Sequence, residues 1–289
     1  MIRGATSAAL AVTLLAVAAL LPACSHAGPL APVTSTAPAA KFTNVPAVLD
    51  ELRFVWTAAP GIDLETGVAV AVRGYYESRQ MAELTADMGN VYPGFDRAVT
   101  YRQQSSDPDQ GNNPSPFIPI HVLASDDSMH LGKPLWGNVH FRVLSITQPH
   151  NDVQAIVCID DSYLYTQLAE ADFQIRDPRP DFRLERIDLS NDPNSRPSPP
   201  ALQRGPLPAP VVDVFGPWHV DGLSMGPNLP WVERDGTYTK TTPGAEQWTQ
   251  QCHTDLPLPA DQRRGAFPLK RDTPPPIEPF APGWPGPGA

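Results

Sequence analysis

The chain has 289 residues, with 31 acidic against 21 basic side chains and a formal net charge of -10. That acidity argues against nucleic acid as a partner and against electrostatic docking on anionic lipid. It holds only three cysteines and as many as 36 prolines, and the prolines are clustered in ways that mark the limits of the folded part.

Arg3 is followed by an apolar run from Ala8 to Leu21, fourteen residues of Ala, Val, Leu and one Thr. This is the length of a signal-peptide core and falls short of the ~20 residues that span a bilayer. Pro22 breaks any helix there, and small Ala23 precedes Cys24. Leu21-Pro22-Ala23-Cys24 resembles the lipobox of bacterial lipoproteins, with leucine three positions before the cysteine and a small residue just before it. The resemblance implies cleavage before Cys24 and a diacylglyceryl lipid on its thiol, with any further palmitate-type chain on its amine. Each buried methylene contributes ~0.8 kcal/mol, so two or three chains would hold the protein on the outer face of the cell membrane. Residues 1–23 are then the signal peptide. Residues 24–44, rich in Ala, Pro, Ser and Thr, read as the lipidated N-terminus and a flexible stalk.

Cys158 and Cys252 remain. In an exported protein two such cysteines pair or stay as buried free thiols, and export favours the pair. A bond would close a loop of 94 positions, 252 minus 158. Chain entropy gives roughly 4–5 kcal/mol for that length.

Order is expected to begin near Val45. Val48, Leu49, Leu52, Val55 and Trp56 recur at helical spacing, which predicts a helix that Ala58-Ala59-Pro60-Gly61 stops. Asp63 suits an N-cap for a second, longer helix. Leu64, Val68, Ala71, Val72 and Tyr75 give it an apolar face, with Arg73, Glu77 and Arg79 mostly off it, and the pattern runs on to Met88 before Gly89. Phe95 to Tyr101 reads as a short helix or strand, and 105–116 as a loop.

Strand patterns follow. Residues 118–124 form a candidate. Asn138 to Thr147 alternates, with Val139, Phe141 and Val143 on one face and His140, Arg142 and Leu144 on the other. Val153 to Asp160 alternates again, placing Cys158 with Ile156, and the two runs predict a hairpin. Phe182 to Leu189 and Val211 to Val220 are further strands, separated by a Pro-rich excursion at 192–210. Residues 231–248 suggest a ribbon turning at Asp235-Gly236. From 254 to 289 there are ten prolines and little periodicity, which predicts a disordered or polyproline-like tail.

Helices first and strands after give an α+β class: N-terminal helices on a curved antiparallel sheet, spanning 45–253. The helix carrying Val-Arg-Gly-Tyr-Tyr-Glu-Ser at 72–78, the strands after it and Gly216-Pro217-Trp218-His219-Val220 resemble the nuclear-transport-factor-2-like cone fold. Residues 52–76 are also similar to exported proteins of high-GC Gram-positive bacteria. The cone resemblance implies a carboxylate base with tyrosine or histidine donors, for which Tyr75, Tyr76, Asp126, Asp127, His121 and His140 are the candidates.

The residues themselves favour blander roles. Tyr75 sits on the apolar helix face, His121 and His140 sit in strand patterns, and Asp126-Asp127 reads as a loop or helix start. Trp218, Trp231 and Trp248 suit a pocket wall or a core equally. No metal, phosphate-loop or nucleophile-elbow spacing is present, so no cofactor is expected beyond the lipid. The leading expectation is a tethered, non-enzymatic binding or accessory module of the cell envelope. Its partner would be an envelope protein or a small apolar ligand, and not nucleic acid. The alternatives are a cone-fold isomerase or dehydratase and a carrier of envelope lipid.

Overall fold

A computed structural model describes residues 45–99, 130–148, 152–176, 182–192, 202–232, 238–256 and 268–286. Cys24, the stalk, the strand at 118–124, His121, Asp126 and Asp127 lie outside the described residues. The architecture is α+β, with an eight-stranded, largely antiparallel sheet and few helices.

The hairpin predicted from alternation is the centre of the sheet. Strand β2 (Leu135–Thr147) pairs antiparallel with β3 (Asp152–Asp160), setting Phe141 against Ile159 and Arg142 against Cys158. Outward from β3 come β6 (Arg183–Asn191) and then β7 (Trp218–Met225). Two strands without a strong sequence signal, β4 (Tyr165–Ala169) and β5 (Asp172–Ile175), extend the other end. β4 pairs with β2 on the same edge as β3. Between them the chain passes close to β2, where Tyr163 O approaches Gly137 so closely that a Cβ there would collide with it. Gly137 also has φ +127°, so both its backbone and its bareness are required. A two-residue strand, β10 (Lys270–Arg271), closes this end on β5.

The first predicted helix is instead a strand. Residues Ala47–Leu49 make one 3-10 turn, and β1 (Glu51–Ala58) then runs parallel to β2. Leu52, Phe54 and Trp56 face the core while Arg53 points away, a period of two hidden beneath a helical spacing of the same residues. The aromatic and β-branched run Phe-Val-Trp-Thr favours the extended chain. Pairing with a strand some 85 positions later decides it.

Helix α1 (Gly67–Thr85) covers one face of the sheet. It starts later than Asp63, whose carboxylate accepts from Glu65 N (2.8 Å) and Thr66 Oγ1 (2.6 Å) in a turn before the helix. It is buried on every side from Ala69 to Ala82, so Arg73, Glu77 and Arg79, expected off the apolar face, are enclosed as well. Gly74, which costs helix propensity, lets Val214 and Phe215 lie against the helix, since a Cβ there would sit 2.7 Å from Val214 Cγ2. Gly74→Ala gains ~1 kcal/mol of propensity but overpacks a site closed by a branched side chain. We expect a net loss of about 1–2 kcal/mol in urea denaturation.

Helix α2 (Phe95–Ala98) packs Phe95 on Tyr75 with ring centroids 6.0 Å apart. The strand expected from Val211 begins only at Trp218, because Pro210, Pro217 and the left-handed Gly216 keep the chain irregular while Val214 and Phe215 turn into the core. The predicted ribbon exists as β8 (Trp231–Val232) and β9 (Tyr238–Thr239). Trp248 and Cys252 lie beyond it on helix α3 (Ala245–Asp255).

Helix α3 covers the opposite face of the sheet. Cys158 and Cys252 form a disulfide with Cα atoms 5.7 Å apart, both fully buried among Leu144, Ile156, Leu184, Leu229 and Leu256. The expected disordered tail is corrected in part. α3 continues to Asp255, and residues 268–286 pack on the body, with Trp284 only 1 % exposed. A proline-rich segment needs no hydrogen-bond ladder of its own when side chains elsewhere hold it. No helix among the described residues is long and apolar enough to cross a membrane.

Candidate functional site

The candidate residues from the sequence do not converge. Tyr75 and Tyr76 lie in the core on the α1 side, 0 % and 1 % exposed. Burial raises both phenol pKa values; for Tyr76 the nearby Glu185 charge adds to it. His140 is on the α3 side, where its Nε2 meets Glu278 Oε1 at 2.8 Å. The sheet stands between them. Trp218 is buried with the α1-side core, whereas Trp248 packs on the disulfide cluster of the other face. Trp231 lies in β8.

The structure assembles a different group around Glu77. This carboxylate is 1 % exposed. Its Oε1 accepts from Trp56 Nε1 (2.7 Å), and its Oε2 accepts from Tyr92 OH (2.6 Å) and Trp284 Nε1 (2.7 Å). Arg73, one helical turn earlier, brings Nε to 3.9 Å from Oε1. Burial raises the Glu77 pKa, and Arg73 with the three donors works against that rise. Arg73 is 0 % exposed, and burial lowers its own pKa against the pull of Glu77. It donates to four carbonyls, those of Leu64 (3.1 Å), Gln203 (2.8 Å), Pro282 (2.7 Å) and Gly283 (3.3 Å), and lies 4.1 Å from the Trp284 ring. Five parts of the chain thus meet at one ion pair: β1, α1 with the turn before it, the loop carrying Tyr92, the segment at Gln203 and the C-terminal segment.

A second buried group lies at the far end of α1. Arg79 donates to Glu185 (2.6 Å) on β6 and to Glu83 (2.6 Å). Burial opposes the Arg79 charge, but Glu185 and Glu83 outweigh it and the pKa is raised. Arg183 joins through Asp161 (2.9 Å) and Gln80 (3.2 Å).

Arg73 and Glu77 stand four apart, the spacing of an ion pair along one helix face, but that spacing does not say that the pair is enclosed. Trp284 offers a fainter hint, as the one tryptophan in the sequence from 254 to 289. An open groove of ≈ 640 Å³ lies at the β5–β10 end, lined by Asp172, Lys270, Arg271 and Asp272 among others. Among the described residues, no three His, Cys, Asp or Glu are grouped to hold a metal ion.

Chemically, the Glu77 group is a joint. Both carboxylate oxygens are committed to donors from distant segments, and Trp284 occupies the space beside Tyr92 at 5.7 Å between rings. These features define an α+β domain with ion pairs buried along helix α1. Comparison of the chain with protein-family models, with curated proteins and with solved structures yields no match.

Proposed function

We propose that the protein is a lipoprotein held at the outer face of the cell membrane through Cys24, and that it works there as a non-enzymatic binding or accessory module of the envelope. The observation that carries the second part is the Glu77 group. A carboxylate and a tyrosine do meet inside the domain, Glu77 with Tyr92, yet the chain's own Trp56 and Trp284 take up the remaining bonds. A catalytic carboxylate needs a free edge toward its substrate. We further read the domain as a filled variant of the cone fold. The packing of α1 on a largely antiparallel sheet supports this, with β1 and the C-terminal segment as additions.

The tether is tested by Cys24→Ala. The variant is expected in the soluble fraction, without incorporated lipid, while the wild type sediments with membranes. Continued sedimentation of the variant would overturn the anchor. The binding role is tested by cross-linking on intact cells. The wild type is expected to give a discrete adduct that Cys24→Ala loses, and an adduct indifferent to the tether would count against an envelope module.

A further inference from the structure

Residues 276–286 follow a course round the β1 edge of the sheet. On the α3 side, Glu278 N donates to Asn138 Oδ1 (2.9 Å), and Glu278 meets His140. At the edge, Ala281 pairs with Val55, its carbonyl accepting from Trp56 N–H, and Phe280 lies 4.8 Å from the Arg53 guanidinium. On the α1 side, Arg73 binds the carbonyls of Pro282 and Gly283, and Trp284 exchanges two backbone hydrogen bonds with Leu207 (2.9 and 3.0 Å). The Trp284 indole then donates to Glu77.

This is the chemistry by which proteins bind extended peptides: pairing at a strand edge, carbonyls held by an arginine and an aromatic anchor in a pocket. It also reads sequence. A Cβ on Gly283 would collide with Gly205 O and sit 2.9 Å from Leu207 O, and a Cβ on Gly205 would sit 2.9 Å from Pro285 Cα. The site therefore demands glycine before the tryptophan, and Gly-Trp-Pro occurs in this chain only at 283–285. Pro276 to Pro279 and Ala281 are exposed, so the segment lies on the surface until Trp284 enters the core.

We infer that this edge is a peptide-binding site, filled here by the chain's own C-terminal segment, and that its partner is the same segment of a second copy. The inference rests on the tethered-module reading in one respect: lipid anchors would hold copies side by side and raise their effective concentration. Its chemistry stands on the contacts alone.

The test uses the full chain with Trp284→Ala, which removes the anchoring indole and leaves the rest of the segment for the peptide to displace, and a synthetic peptide of residues 276–286. Calorimetry is expected to show saturable one-to-one binding. Peptides with Gly283→Ala or Trp284→Ala should bind at least about tenfold more weakly. Should Trp284→Ala fail to fold by circular dichroism, the 276–286 peptide added to it is expected to restore the folded signal, and no recovery overturns the site. No binding, or equal binding of the altered peptides, overturns the site. A second arm mixes two full-length populations. Trp284→Ala offers a site without an anchor, and Glu77→Gln offers an anchor with a weakened site. The mixture is expected to give a heterodimer by light scattering while each alone stays monomeric. Peptide binding without a heterodimer overturns the second copy as partner. None of these results bears on membrane release by Cys24→Ala, so the two readings fail separately.

Discussion

Glu77→Ala is expected to cost about 5 kcal/mol, near the low end of the 5–15 kcal/mol that holds an ordinary domain together. Removing one partner of a buried pair strands the other, and here it strands the fully enclosed Arg73 charge. It also leaves the Trp56, Tyr92 and Trp284 donors without their acceptor, at about 1–3 kcal/mol each where nothing replaces it. Glu77→Gln is the sharper probe. On the Oε1 side its amide would oppose the Trp56 donor and face Arg73, and on the Oε2 side it would oppose the Trp284 donor while the Tyr92 hydroxyl can turn to accept from it. The expected loss is about 1–3 kcal/mol, read as a shift in the urea midpoint at unchanged slope. Equal losses for the two variants would show that the carboxylate's charge and bonds do not hold the joint.

The same residue sets a pH dependence with a definite sign. Its pKa is raised in the folded state, first by burial. The folded chain therefore binds this proton more tightly than the unfolded chain does. The stabilisation that comes from this proton is fully present below the ordinary carboxylate pKa, about 4.3, and is lost as pH rises through the folded value, which leaves the bonds of the ionised carboxylate. Glu77→Gln should flatten that part of the stability curve. An unchanged slope between acidic and neutral pH would mean that Glu77 titrates as it does in the unfolded chain.

How much of this the sequence held depends on where each signal lies. β2 and β3 were legible because each buries alternate residues on two different faces, and alternation survives without any partner in view. The Cys158 face followed from the same alternation, and the partner that reached it proved to be a helix. β1 is ambiguous in the sequence because Leu52, Val55 and Trp56 fit a helix as well as a strand, and only β2 decides between them. The enclosure of α1 was invisible for a related reason. An amphipathic pattern says which face is apolar, but not that residues 202–215 and Trp284 will come round the other sides. The C-terminal segment failed on composition. Proline-rich chain reads as disordered because it cannot build its own ladder, yet Arg73 and Glu77 supply its bonds from over 200 positions away. The Glu77 joint lay across all of these gaps, so no local pattern announced it.

Replacing both Cys158 and Cys252 with alanine is expected to cost roughly 4–5 kcal/mol by the chain-entropy estimate for a loop of 94 positions. The loss should also be unevenly spread. Helix α3 rests on a small cluster, with Leu144, Ile156, Leu184, Leu229 and Leu256 around the disulfide, and on the Arg142–Asp255 pair at 2.8 Å. That pair is part exposed, so it adds at most about 1 kcal/mol. The main core lies on the other face of the sheet and contains no α3 residue. Amide exchange in the double variant should therefore accelerate first in 245–255, while β2, β3 and α1 keep protection set by the reduced global stability. The wild type carries the complementary expectation. Both sulfurs are buried, so reductant should open the bond only when α3 lifts away, and the reduced protein should be two daltons heavier by intact mass. Uniform acceleration across sheet and helix would instead make α3 part of one cooperative unit with the core. The disulfide would then stabilise the whole domain rather than fasten one helix to it.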